Sequence, residues 1–315
     1  MPLFQTHVVV DWSARSRPSP ERETRDAIWW AVARIGRRGV RVRKPEYART
    51  RHQALDRLAR LIAGELDAGR RVLVGFDFPF GYPAGVAAHL TGEASALALW
   101  DWLAAQIEDA PDNANNRYEV AAAINAAFPG IGPFWGRPAT WDYPAIPVRA
   151  SARTCRDRHP PERRIADRHA KGAKTVWQLA YAGSVGSQML LGLPALKRLT
   201  RDPRIAGHAA IWPFETGLRT PDAPAVIAEV YPSLLSDEVR ARQRAGEILD
   251  SAQVRVNAEA FARLDAGGGL APLFAGAPFL TPAQRRIVES EEAWILGLGH
   301  EQVLKAACRV PPCRG

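Results

Sequence analysis

Apolar positions in this chain fall first into short unbroken runs and then into a helical rhythm. THVVVDW (6–12) and, beyond the charged stretch RSRPSPERETRD, AIWWAVAR (27–34) have the length and β-branched or aromatic content of buried strands, able to pair as a hairpin. GVRVRKP (39–45) supplies a third short strand. From Arg51 the spacing changes. Leu55, Leu58, Leu61, Ile62 and Leu66 recur at helical intervals and Gly69 offers a stop, which predicts a helix laying one face on a sheet. RRVLVGFDFPFGYP (70–83) is again a short apolar run, ending at Asp77 and breaking into Pro79, Gly81 and Pro83. A helix over part of ASALALWDWLAAQIEDA completes a strand, strand, strand, helix, strand, helix order.

The pattern then loses its period. FPGIGPFWGRPATWDYPAIPVR (128–149) carries five prolines and cannot be a regular element. Its Phe134, Trp135, Trp141 and Tyr143 argue for an ordered insertion over disorder. From Arg149 to Lys174, nine Lys or Arg stand against three acids. The strand pattern resumes at PAVIAEVYPSLL (224–235), and a helix is expected from about Ser251 with Asp250 at its N-cap. The organisation that follows is an α/β core, residues 1–110 and 221–315, interrupted by a Pro/aromatic and basic lobe at 111–220.

Three strand-like runs end in an acid: Asp11 after HVVV, Asp77 after VLVGF and Glu229 after AVIA. In an open sheet the carboxyl ends of neighbouring strands point into one crevice, so these acids can converge although far apart in sequence. Clustered carboxylates either share protons or hold a divalent cation, and hard oxygen donors suit Mg²⁺ or Mn²⁺. For Asp250 a helix cap accounts for the residue equally well. Glu215 and Asp237 are further acids outside this pattern.

Charge adds a direction. Forty-two Lys and Arg against 33 Asp and Glu give a net charge of +9, which favours anionic partners such as nucleic acid or phosphate esters. The amino-terminal segment lacks a basic n-region and no stretch approaches the roughly 18 apolar residues of a membrane span, so a cytoplasmic protein with no membrane partner is expected. Cys155, Cys308 and Cys313 are too few and too irregularly spaced for a disulfide framework. AGSVGSQ (182–188) could expose backbone N–H groups to a phosphate or form a tight turn that permits close packing.

Several motifs carry a family resemblance. VVVDWSA, VGFDFPFGYP, AEVYPSL and EEAWILG, with TVWQLAYAGSVGSQMLLGLPALKRL and IWPFETG, are similar to those of the family known as domain of unknown function 429, in its tryptophan-bearing subgroup. The resemblance covers most of the chain. It implies an RNase H-like fold, with three antiparallel strands, then parallel strands, flanked by helices, and a predicted nuclease activity. Asp11 matches the first-strand acid, Asp77 the acid of the strand parallel to it, and Asp250 the acid near the closing helix, while Glu229 belongs to this family's own E-V-x-P motif.

On this reading Asp11, Asp77 and Asp250 would be metal ligands for one or two Mg²⁺ or Mn²⁺ ions, Glu229 would join them in catalysis, and the reaction would be hydrolysis of a phosphodiester. Arg149, Arg153 and Lys174 would grip phosphates, with Trp135 and Trp141 stacking on unpaired bases of DNA or RNA. Two alternatives use the same fold: an enzyme acting on a nucleotide or phosphorylated cofactor precursor, and a non-catalytic phosphate-binding protein.

Overall fold

The computed structural model describes residues 1–181 and 183–309, so Ala182 of the AGSVGSQ turn and Cys313 lie outside the described residues. Seven strands form one mixed sheet: β1 (Thr6–Asp11), β2 (Ile28–Gly36), β3 (Gly39–Val42), β4 (Glu46–Ala48), β5 (Val72–Phe76), β6 (Ala209–Ile211) and β7 (Ala225–Glu229). Their order across the sheet is β3-β2-β1-β5-β7-β6, with β4 alongside β2. The β1–β2 and β2–β3 pairs are antiparallel. β1, β5, β7 and β6 run parallel. The chain is therefore an α/β protein whose sheet changes from antiparallel to parallel pairing at β1.

Period-2 alternation sends the odd-numbered valine of β1 to one face and the even-numbered ones to the other. Val8, Val10, Val74 and Phe76 face a cluster that includes Ala54, Leu58 and Ile62 of α1 (Arg51–Asp67). α3 (Ala96–Gln106) and α6 (Gly186–Thr200) complete that layer through Leu99, Trp100, Leu190 and Leu193. Val9, Leu73 and Val226 face α8 (Leu249–Ala266), which contributes Val254, Ala258 and Phe261. Burying both faces explains why β1, β5 and β7 read as continuous apolar runs.

Segment 111–220 shares this core. Within it α6 packs against α3, α1 and α4, and β6 adds a parallel strand beyond β7. Gly192 of α6 lies against Phe78, where an added Cβ would come within 2.4 Å of the ring. The Pro-rich stretch is irregular, as its composition requires, with Phe134 buried, while Trp141 remains 41% exposed. The short helices are α2 (Val86–Thr91), α4 (Arg117–Ala126), α5 (Ile165–His169), α7 (Ser236–Arg242), α9 (Pro282–Ile287) and α10 (Glu301–Arg309). Among the described residues no helix is long and apolar enough to cross a membrane.

Candidate functional site

Register brings the first two acids together. Val10 pairs with Phe76 in the parallel β1–β5 ladder, so the next residues, Asp11 and Asp77, fall in phase at the carboxyl ends of adjacent strands. The Asp77 N–H continues the ladder to the Val10 carbonyl at 3.1 Å. The Trp12 N–H then donates to Asp77 Oδ1 at 2.7 Å. On the same face α8 begins. Ile248 is its N-cap, so Asp250 lies in the first turn rather than at the cap the sequence suggested. Its Oδ2 accepts the Asp26 N–H at 2.8 Å, tying the helix start to the loop entering β2.

Asp11, Asp26, Asp77 and Asp250 line one cleft of about 470 Å³. No Lys or Arg side chain forms an ion pair with any of the four among the described residues. Burial first, and then the charges of Asp77 and Asp250, push the Asp11 carboxyl well above the ordinary carboxylate range, and a hydrogen bond to Asp77 holds its proton. Burial also raises Asp77, to about 7, against the opposing pull of the Trp12 N–H. Asp250 is raised by burial too, opposed by the Asp26 N–H. The pair thus shares a proton in the absence of a cation, the state like charges adopt when they are withdrawn from water.

Among the described residues no three His, Cys, Asp or Glu side chains are grouped closely enough to hold a metal ion unaided. Asp11 and Asp77 offer two hard oxygen donors with unbalanced charge, which suits a small divalent cation whose remaining ligands come from water or substrate.

Glu229 stands apart. It pairs with Phe76, one residue before Asp77, and so falls on the phase of the α1 face. Only 3% exposed, it accepts two hydrogen bonds from Arg164, Nη2 to Oε1 at 2.7 Å and Nη1 to Oε2 at 2.8 Å. Arg164 also pairs with Asp167 and donates to the Glu292 carbonyl. Burial raises the Glu229 carboxyl and Arg164 opposes that shift. Glu229 does not line the cleft, and its Oε2 accepts the Phe80 N–H at 2.9 Å instead.

That bond has company. Glu292 Oε1 accepts the Ala84 N–H at 2.9 Å and Glu291 Oε2 the Gly85 N–H at 2.8 Å. Gly81 is required between them, because an added Cβ would sit 2.0 Å from the Glu291 carbonyl oxygen. The acids of AEVYPSL and EEAWILG therefore hold the backbone of the loop that follows Asp77. They position the site without entering it.

The basic stretch 149–174, expected at the site, does not line the cleft. Arg149 and Lys174 are exposed, while Arg153 is buried on the Ala150 carbonyl and paired with Glu162 at 2.8 Å. Trp135 is half-buried on the core, and Trp141 meets Tyr118 edge-on at 4.9 Å. None of the five lines the cleft, though Tyr118 does.

A guanidinium that the sequence did not single out takes their place. Arg117, at the start of α4, is 9% exposed and lines the cleft. Nε donates to Ser187 Oγ at 3.0 Å, and Nη1 to Ser16 Oγ at 2.8 Å and Asn115 Oδ1 at 2.7 Å. The guanidinium also lies over the Tyr118 ring, 4.8 Å from its centroid, and burial lowers its pKa against the opposing pull of Tyr118. Of these hydrogen-bond partners the local pattern NNRYEV supplies only Asn115, and the other two, Ser16 and Ser187, come from distant segments that the sequence does not bring together. Ser184, Ser187 and Gln188 of the AGSVGSQ turn also line the cleft. There Gly186 is needed for close packing, an added Cβ lying 2.5 Å from the Val176 carbonyl oxygen, and its N–H is spent on the Gln178 carbonyl at 2.9 Å. Comparison of the chain with protein-family models, with curated protein sequences and with solved structures finds no match.

Proposed function

We propose that this protein is a divalent-metal-dependent phosphodiester hydrolase of RNase H-like fold, acting on nucleic acid. The observation that carries the reading is the in-phase pairing of Asp11 and Asp77 at the ends of adjacent parallel strands, inside a cleft whose four acids form no ion pair with Lys or Arg among the described residues. The strand order, three antiparallel strands followed by parallel ones, supports it, as does the motif resemblance.

Asp11 and Asp77 would hold Mg²⁺ or Mn²⁺, with Asp250 reaching the ion through water. When bound, such ions lower the pKa of an attacking water and stabilise the leaving oxygen. Asp77 is oriented for this by the Trp12 N–H on Oδ1, which leaves Oδ2 for the cation. Arg117, fixed by Ser16, Asn115 and Ser187, lines the cleft, where its planar guanidinium would stabilise negative charge developing on a non-bridging phosphate oxygen. Gln188 donates from Nε2 to the Trp12 carbonyl at 2.7 Å and so ties the turn before α6 to the strand end that carries Asp11.

A second reading has one observation in its favour: 470 Å³ falls in the range of small-molecule sites, which suits a nucleotide or other phosphorylated metabolite. Incubation of labelled single-stranded, duplex, hybrid and branched substrates with Mg²⁺ or Mn²⁺ separates the two. Cleavage that disappears in Asp11→Asn supports the nuclease reading. No cleavage of any of them, together with thermal stabilisation by nucleotides, would replace it with the second.

A further inference from the structure

Far from the acids, the β2–β3 hairpin closes around a different kind of cleft. It measures about 710 Å³, and Arg34, Arg37, Arg38, Arg41, Arg43 and Arg70 line it. One carboxylate, Glu65, faces this set and is shared by Arg34 and Arg70. Arg37, Arg38, Arg41 and Arg43 are exposed and have no side-chain partner among the described residues. We infer that this cleft is a binding site for the phosphate backbone of a nucleic acid, separate from the carboxylate cleft.

The placement follows from register. Arg34 pairs across the hairpin with Arg41, like charge directly opposite like charge, an arrangement that costs stability unless an anion intervenes. Glu65 offsets Arg34, and nothing in the described chain offsets Arg41. Arg41 and Arg43, two positions apart on β3 and its continuation, point to the same face about 7 Å apart. Successive phosphates along a nucleic-acid strand have much the same separation. An edge strand does need charge to repel other strands, but scattered charges of either sign serve that purpose. Six of one sign converging on a cleft do more than it requires.

The chemistry of the rim selects among anions. The large exposed hydrophobic side chains, Ile131, Trp141, Tyr181, Phe279 and Val303 with Met1, all lie elsewhere in the chain, so the hairpin offers a membrane no apolar anchor. Guanidinium forks suit phosphate oxygens bidentately. Distance suits a polymer. β1 pairs Asp11 with Trp29 and Thr6 with Arg34, so the arginine cleft lies at the opposite end of the strand from the acids, about 17 Å or more away along it. A small phosphate ester cannot span the two sites, whereas a nucleic acid can occupy both.

The test reads binding in EDTA, so it does not depend on hydrolysis. Fluorescein-labelled single-stranded and duplex oligonucleotides are titrated with wild type and with Arg37→Gln/Arg38→Gln/Arg41→Gln/Arg43→Gln over a series of salt concentrations. All four side chains are exposed and loss of Arg41 relieves its repulsion with Arg34, so the thermal midpoint should not fall. The expected result is affinity weakened at least about tenfold at low salt, with the slope of log K against log salt shallower by about one for each arginine removed. A charge-matched control, Arg156→Gln/Arg158→Gln/Arg163→Gln/Arg168→Gln, should change the slope much less. Equal effects of the two quadruple variants, or wild-type binding by the first, would overturn the inference. So would tighter binding to phosphatidylserine vesicles than to either oligonucleotide. Mn²⁺-dependent cleavage of a chromogenic phosphodiester, measured in parallel, reports on the carboxylate cleft alone and should be the same in wild type and the hairpin variant.

Discussion

The Trp12 N–H donates to Asp77 Oδ1 at 2.7 Å, and one residue earlier the Val10 carbonyl accepts the Asp77 N–H at 3.1 Å. The two strand ends therefore clasp each other just where each delivers its acid. The Trp12 ring, buried against Phe76 and Phe78 at 5.9 and 6.2 Å, fixes the clasp from the core side. The bond to Trp12 fixes one oxygen of Asp77 beside the strand end that carries Asp11.

Removing one charge from this pair should stabilise the fold and abolish the proposed chemistry. In Asp77→Asn the amide oxygen still accepts the Trp12 N–H, while repulsion and the cost of a buried charge are gone. We expect the metal-free thermal midpoint to rise by about 2 °C or more, and Mn²⁺-dependent hydrolysis to fall by at least about a hundredfold. A variant that loses stability and activity together would point to a structural role for Asp77.

The pH dependence has a definite sign. Asp77 has its folded-state pKa raised from 3.8 to about 7, and Asp11 is raised as well. A carboxyl raised in this way favours the folded state fully below its unfolded value, and the contribution is lost as pH rises through the folded value. Metal-free protein should therefore lose stability between about pH 4 and pH 8, from these groups, as the shared proton leaves. Divalent cations compete with that proton, so stabilisation by Mn²⁺ should be small near pH 5 and grow towards pH 8. Differential scanning fluorimetry with Mn²⁺ or EDTA across this range checks both slopes.

Glu229 and Arg164 should behave as structural partners. Arg164→Met leaves Glu229 and Asp167 buried without their counter-charge, at a cost of about 3–5 kcal/mol in urea unfolding. Glu229→Gln should lower stability as well, yet its hydrolysis per folded molecule should stay within about tenfold of wild type, well above Asp11→Asn. Activity as low as that of Asp11→Asn in a folded Glu229→Gln protein would return Glu229 to the reacting centre.

Arg117 is predicted to act on the substrate and not on the cation. Arg117→Lys keeps the charge but loses the planar fork that Ser16, Asn115 and Ser187 hold. kcat/KM should fall by about 10- to 100-fold, with the thermal shift produced by Mn²⁺ unchanged. Loss of that shift would mean that Arg117 supports the metal ligands instead.

Much of the sheet was legible because its strands are buried on both faces. HVVV and VLVGF could be little else, and the acids that end them are where the chain says they are. Glu229 looked equivalent because a lone strand does not disclose its phase. Only its pairing with Phe76 shows that it falls one step out of line with Asp77. β6 was hidden for a different reason: AAI is three residues long and becomes a strand only by lying beside β7. The basic stretch 149–174 drew attention by its local density. The hairpin is as dense locally, five arginines between Arg34 and Arg43, but only the pairing of β2 with β3 shows that they gather with Arg70 on one cleft.

The order of strands across the sheet also constrains how the protein is made. β7 seats between β5 and β6, and its partner residues, Ala225 to Glu229, follow those of β5 by some 150 positions. During synthesis the flank of Val72–Phe76 that awaits them stays bare while all of 111–220 emerges. An apolar strand with open hydrogen-bonding groups invites pairing with another chain. The nascent polypeptide is thus most prone to self-association in the interval before Ala225 leaves the ribosome, and ribosome-bound fragments ending before or after β7 should differ sharply in solubility.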